Sequence, residues 1–220
     1  MTGYSTAIKI CGLRSPYIAE QAVRLGADYI GLVFHPPSPR HVDISGAQDI
    51  ALAVKSAGGV PVAVVVQQSA DEIQHICQRS NIDVVQLHGD TAIAHSHKLS
   101  PTLRQILVCP IGKSGELLTP LNVGTSHLSP EKDLLLFDGP RGGSGKTIVT
   151  HQLKQIAGAF KYFIAGGLNT HNVANILTTD KPYGVDVSSG VEHRRGHKDI
   201  ALIKQFIDRV KHRSLSHVHS

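Results

Sequence analysis

Apolar residues recur along the chain in short, nearly unbroken runs separated by longer amphipathic stretches. The runs fall at 7–11, 28–34, 61–66, 83–88, 104–109, 133–138, 161–165 and 183–188. Most lack the in–out alternation of a half-buried strand, as expected for parallel strands covered on both faces. The stretches between them read as helices. Ser15-Pro16 opens one, with Ser as N-cap and Pro in the first turn; Ala19, Ala22, Val23 and Leu25 form its apolar face, and Gly26 stops it. Ser45 precedes a second helix over Ala47 to Val54. Ser69-Ala70-Asp71-Glu72 is a capping box before Ile73 and Ile76. Asn169 is placed to cap 170–178, and Lys198-Asp199 leads into Ile200 to Val210. Eight strands, each followed by a helix or by room for one, predict a single-domain (β/α)8 TIM barrel over residues 1–212. Residues 213–220 read as a polar, disordered tail. Between 110 and 132, two internal prolines and three glycines argue against a long regular helix.

Composition narrows the function classes. The chain has 220 residues and 41% hydrophobic content, and its mean hydropathy is −0.03, enough for a sizeable core. No apolar run approaches the roughly 20 residues of a membrane span, and Met1 to Thr6 lacks the features of a signal peptide. Three cysteines, Cys11, Cys77 and Cys109, form no C-x-x-C pair and do not suit a disulfide framework; the expectation is a reduced, cytoplasmic protein. The net charge is +5. Its basic residues are scattered and aromatics are only 5% of the chain, so a surface that attracts anionic small molecules is favoured over nucleic-acid binding. Neither His193 and His197 nor the histidines of the tail form a ligand set for a metal. A monomer is expected, with a homodimer as the alternative.

In such a barrel the chemistry sits at the C-terminal ends of the strands. Cys11 ends the first and is followed at once by Gly12. Lys9, two residues back, points to the same side and can help a thiolate form. Pro36 to Arg40 follow the second strand, Gln86 and His88 close the fourth, and Asp138 ends the apolar sixth, where burial suits a general acid. Gly166-Gly167 and Ser188-Ser189-Gly190 end the seventh and eighth, and such glycines let backbone N–H groups approach a phosphate. A short turn at 190–193 would add a helix N-terminus. The segment Gly142 to Thr147 ends G-K-T, but position 140 is proline where a P-loop needs glycine; a mobile lid carrying Lys146 is the better reading. For each of these residues a plain packing or turn role is the alternative.

Taken together, K-I-C-G-L at 9–13, G-A-D-Y-I-G-L-V-F at 26–34, S-P-R at 38–40, V-Q-L-H-G at 85–89, G-G-S-G-K at 142–146, A-G-G-L-N at 165–169 and V-D-V-S-S-G-V-E at 185–192, with Lys198-Asp199, resemble phosphoribosylanthranilate isomerase. The resemblance runs from residue 8 to about 207. It implies a cofactor-free isomerase of tryptophan biosynthesis that performs an Amadori rearrangement of N-(5-phosphoribosyl)anthranilate. It further implies Cys11 as general base and Asp138 as general acid. Arg40 would hold the anthranilate carboxylate, and Gly166, Gly167, Ser189 and Gly190 the phosphate. Gln86, His88, Asp186 and Ser188 complete the implied substrate contacts.

The family often has an aromatic pair after G-G-[ST]-G-K, where this chain has Thr147 to Thr150, and a proline-glycine where it has Arg195-Gly196. Two other readings stay open. A different phosphosugar barrel enzyme would be expected to pair two aspartates at strand ends one and six. A non-catalytic anion-binding paralogue would be expected to lack Cys11 or Asp138.

Overall fold

A computed structural model describes residues 6–120, 125–139 and 153–216. In chain order the elements are β1 (Ala7–Cys11), α1 (Pro16–Leu25), β2 (Tyr29–Val33), α2 (Ile44–Ser56), β3 (Val60–Val65), α3 (Ala70–Arg79), β4 (Val84–Leu87), α4 (Asp90–Ala94), β5 (Arg104–Pro110), β6 (Leu134–Asp138), α5 (Leu153–Ala157), β7 (Lys161–Ala165), α6 (Val173–Thr179), β8 (Gly184–Val187), β9 (Glu192–Arg194), β10 (His197–Lys198) and α7 (Ile200–Ser216). Strands β1 to β8 form a closed parallel barrel in sequence order, and β9 and β10 make a separate antiparallel pair. Among the described residues no helix is long and apolar enough to cross a membrane.

The period-2 geometry of a strand sorts side chains between two cores. Ile8 and Ile10 of β1, Ile30 and Leu32 of β2, Leu135 and Phe137 of β6 and Val185 and Val187 of β8 point outward into the layer beneath the helices. The alternate positions point inward: Ala7, Tyr29, Val62, Val84, Ile106, Leu134, Leu136 and Phe163 fill the lower barrel. Above them sits a small apolar group of Cys11, Val33 and Val64. Lys9 lies between these levels on the inward face of β1, and it is fully buried.

Local signals set most boundaries. The Ser15 side chain accepts the Ile18 N–H, and Gly26 ends α1 in the left-handed region, at φ 116°. Ser69 and Glu72 make the reciprocal capping box of α3. Three expectations change. Asp43, not Ser45, caps α2, accepting the Gly46 N–H at 2.7 Å, because Asp43 stands just ahead of the helix while Ser45 is already inside it. Helix α6 starts at Val173 after Asn172. Asn169 instead organises the preceding turn, its Oδ1 accepting the N–H of His171 at 2.8 Å and of Asn172 at 3.1 Å.

The last helix reaches Ser216, so 213–216 continue it rather than a tail; no proline or glycine intervenes to stop it. Residues 217–220 and the expected lid at 142–146 lie outside the described residues. Between β5 and β6 the described residues contain no helix. Asp133 there accepts the N–H groups of Gln105 and Ser129 and pins the entry to β6.

Barrel closure depends on close approach at one glycine. A Cβ on Gly184 would lie 2.3 Å from the Phe163 ring and 2.7 Å from the Ala7 carbonyl oxygen, and neither can retreat in the packed interior. Gly184→Ala is expected to destabilise the fold by about 1–3 kcal/mol, seen as a lower urea midpoint with an unchanged slope; an unchanged midpoint contradicts the packing argument.

Candidate active site

The C-terminal ends of the strands surround a cavity of ≈ 920 Å³. Of the residues singled out in the sequence, Cys11, Arg40, Gln86, His88, Asp138, Gly166, Gly167, Asp186, Ser188 and Ser189 line it. Gly190 does not; it supports the wall from behind, where a Cβ would lie 1.9 Å from the Leu168 carbonyl oxygen. Cys11 and Asp138 end β1 and β6, which β7 and β8 separate around the barrel. The thiol and the carboxyl therefore stand on opposite sides of one mouth.

The floor on the Cys11 side is a cluster of charges. Lys9 donates to Asp186 Oδ1 at 2.9 Å, and both are buried. Burial opposes the charge on Lys9, but Asp186 and Cys11 outweigh it and raise its pKa. For Cys11 burial is the largest influence and pushes the thiol up; Lys9 pulls it down, Asp186 pushes it up and Lys198 pulls it down, leaving it above the ordinary thiol value of 9.0. Cys77 and Cys109, buried elsewhere, are pushed up to about 12 by burial, the signature of inert packing thiols.

The hairpin of β9 and β10, not foreseen in the sequence, completes the mouth. It replaces the helical turn expected at 190–193, after a turn in which Ser188 and Ser189 accept the N–H groups of Val191 and Glu192. Glu192 accepts both Nε (2.7 Å) and Nη2 (2.8 Å) of Arg40, Nζ of Lys198 (2.8 Å) and the Gly196 N–H (3.1 Å). Lys198 also donates to the Ser188 carbonyl at 2.9 Å, and Ser188 Oγ donates to the Cys11 carbonyl at 3.0 Å. A continuous polar path thus joins Arg40 to the strand end that carries Cys11. Glu192 and Lys198 belong to the quoted motifs but had no role assigned; spacing alone does not reveal that Glu192 pairs with Arg40, 152 residues away. The fork of Arg40 that spacing suggested for a substrate carboxylate is committed to Glu192 through Nε and Nη2, an arrangement in which Nη1 takes no part. Asp186, expected among the substrate contacts, spends one carboxylate oxygen on Lys9.

The remaining walls carry Asp138, Arg194 and Arg195 beside polar side chains and backbone groups. Gln86 is 3% exposed, and its Oε1 has no partner among the described residues, an acceptor at the barrel wall. Gly166 and Gly167 adopt φ 97° and 63°, which disfavours any other residue, and a Cβ on Gly166 would strike the Gly139 backbone at 2.3 Å. The Gly167 carbonyl is held by Asn172 Nδ2 at 2.9 Å, and Asn169 bridges to Gly190. The loops after β7 and β8 are thereby stitched into one backbone cradle. Among the described residues no group of three or more His, Cys, Asp or Glu is arranged to hold a metal ion.

A family model described as N-(5'phosphoribosyl)anthranilate (PRA) isomerase matches residues 8–209. The chain is 39% identical to N-(5'-phosphoribosyl)anthranilate isomerase of Streptococcus pneumoniae over 94% of this chain and 96% of that one. The corresponding protein of Chlamydia felis is 36% identical over 93% and 96%. Among solved structures, phosphoribosyl anthranilate isomerase from Thermotoga maritima superposes with a TM-score of 0.79 at 29% identity, over 94% of this chain and 99% of that one.

The Glu192 cluster generates a pH-dependent expectation. Burial raises the Glu192 carboxyl, but Arg40 and Lys198 more than compensate and hold it at about 2, below its ordinary 4.5. Its folded pKa is depressed, so its contribution to stability is complete above pH 4.5 and is lost as pH falls toward 2. Glu192→Gln is expected to lower stability at pH 7 by up to about 3 kcal/mol, because Arg40 and Lys198 lose their shared anion. It should also flatten the dependence of the urea midpoint on pH in that acid window. An unaltered acid profile would remove Glu192 as its source.

Proposed function

The chain belongs to the phosphoribosylanthranilate isomerase family, enzymes of tryptophan biosynthesis, and from that premise we propose that Cys11 is its general base and Asp138 its general acid. The observation that carries the assignment is the placement of these two groups at opposite strand ends of one cavity. Asp138 gives a proton to the furanose ring oxygen as the C1–O bond breaks, and the anthranilate nitrogen's lone pair forms a C1=N iminium. The Cys11 thiolate then takes the proton from C2. The C2–H electron pair becomes the C1=C2 bond, and the iminium π pair returns to nitrogen. The resulting enolamine tautomerises to the ketone. Asp138 is left ionised and Cys11 protonated, and exchange with water resets them. The substrate's nitrogen is the electron sink, so no cofactor is required.

The cradle of Gly166, Gly167 and Ser189, backed by Gly190, suits the phosphate. Arg40, which lines the cavity, suits the anthranilate carboxylate through its Nη1 edge, with Glu192 fixing the guanidinium plane. Gln86 Oε1 and His88 are placed to accept or donate to the ribulosyl hydroxyls, and Ser188 positions the Cys11 strand end. The free state of all three cysteines supports a reducing compartment such as the cytoplasm. A monomer is the assembly we favour: the large exposed hydrophobics among the described residues, Tyr17, Leu52 and Leu118, are divided among α1, α2 and the segment between β5 and β6.

Cys11→Ala and Asp138→Asn are each expected to lower kcat by about 10²–10⁴-fold while circular dichroism and inorganic phosphate binding persist. Near wild-type turnover in either would overturn that residue's role. Complementation of a tryptophan auxotroph lacking this step should succeed with the wild-type chain and fail with both variants. Arg40→Ala is expected to raise KM far more than it lowers kcat; unchanged kinetics would place the carboxylate elsewhere.

A further inference from the structure

A fully buried lysine needs a reason. Taking an ammonium out of water costs several kcal/mol even after relaxation, and a lysine that merely filled space in a barrel would be replaced by leucine or methionine without loss. Lys9 is 0% exposed at the centre of the barrel, and its Nζ lies 2.9 Å from Asp186. The two residues are also backbone partners across the closing seam of β1 and β8, so the ion pair is in register with the barrel itself. On the other side Lys9 faces Cys11, and each acts on the charge of the other. Both residues occupy the inward face of β1, and their heads converge over Gly31 of the neighbouring strand. A Cβ built there would lie 2.8 Å from the Cys11 sulfur and 3.2 Å from Lys9 Nζ. Glycine at 31 thus leaves room for the thiol and the ammonium to meet.

We propose that Lys9 is the positioning residue through which Cys11 works as a base: clamped and kept charged by Asp186, its ammonium stabilises the thiolate at the moment the substrate proton is taken. The inference rests on the proposed role of Cys11. Asp186 is then a member of this relay first and a wall of the substrate cavity second. It fixes the ammonium and keeps it protonated, and in doing so it also opposes the thiolate; the pair must be balanced, with the lysine the stronger influence on the sulfur. The other charge acting on the thiol is Lys198 from β10. From β2 and β3 its packing neighbours are Val33 and Val64, which carry no charge. Lys9 touches no substrate in this scheme. It acts through Cys11 alone.

The test is the pH dependence of Cys11 alkylation by iodoacetamide, followed by peptide mass mapping so that Cys77 and Cys109 are read separately, beside the pH profile of kcat. In Lys9→Met the alkylation midpoint of Cys11 should rise by about one pH unit or more, which is about tenfold less thiolate at a fixed pH, and kcat at neutral pH should fall by at least that factor with KM little changed. Lys9→Met leaves a buried carboxylate unpaired, so Lys9→Met/Asp186→Asn serves as a second variant without that charge. Its midpoint should also stay above wild type, because the ammonium outweighs the carboxylate at the sulfur. A folded variant of either kind whose Cys11 midpoint matches wild type overturns the proposal, even if kcat has fallen, since a purely structural lysine would lower activity without moving the thiol. If neither variant folds, the lysine is a structural residue and the proposal is overturned too. The Cys11→Ala measurement separates the two readings: an active Cys11→Ala sinks the base itself, whereas an inactive Cys11→Ala beside an unmoved midpoint in Lys9→Met sinks only the role of Lys9.

Discussion

Closure of the barrel between its first and last strands is the constraint on which the site depends. The seam pairs Ala7 with Gly184, Ile8 with Val185, Lys9 with Asp186 and Ile10 with Val187. A slip of one residue would reverse every side chain on β8, placing Asp186 in the apolar layer beneath the helices and leaving Lys9 without its carboxylate. The cost of that error, a buried and unpaired ammonium, helps to specify the register. The same seam sets the height of Cys11 above the barrel core and brings Ser188, just past β8, within reach of the Cys11 carbonyl. Fold and chemistry are therefore fixed by one set of contacts.

The hairpin after β8 extends that logic to the rim. Glu192 binds Arg40 from the loop after β2 and Lys198 from its own hairpin, so one carboxylate ties together segments from opposite ends of the chain. Surface ion pairs contribute little, but here the Glu192 and Lys198 side chains are buried and that of Arg40 largely so, and the carboxylate is filled by four donors, the condition under which a buried ion is tolerated. Its consequence is geometric. Arg40 is held with one edge anchored, so in its proposed role it would offer a substrate carboxylate a guanidinium that has already lost its rotamer freedom.

The strand bodies were legible in the chain because parallel strands covered on both faces must be largely apolar: β3 is so throughout, and β1, β6 and β7 are interrupted only by Lys9, Asp138 and Lys161. The Ser15 cap, the Gly26 stop and the Ser69 box were legible because they are local. What was hidden is long-range or short. The hairpin is built from E-H-R and H-K, too brief and polar to show a strand period. Asp43 and Ser45 are both good caps, and the choice between them depends on where the chain leaves β2. That Cys11 and Asp138 share a cavity followed from strand count, but that the Arg40 fork is half occupied, and that Asp186 serves Lys9, follow only from contacts between residues far apart in sequence.

The charges near Cys11 also bear on the order of events. Lys9, Lys198 and Arg40 face Asp186 and Glu192, three cations against two carboxylates, so the cluster reaches neutrality when the thiol gives up its proton. Burial still works against the thiolate and leaves the thiol above its ordinary value in the empty cavity. What tips the balance further must come from the substrate. In the proposed binding mode its phosphate occupies the cradle after β7 and β8 and its carboxylate the rim, both paired locally, whereas ring opening creates an iminium cation directly beside the C2 proton. That cation exists only after Asp138 has delivered its proton. A base held back by burial and favoured by a cation that the acid step produces is one that acts second. In the proposed scheme Cys11 is therefore suited to remove a proton from an opened, activated sugar and not from the closed ring.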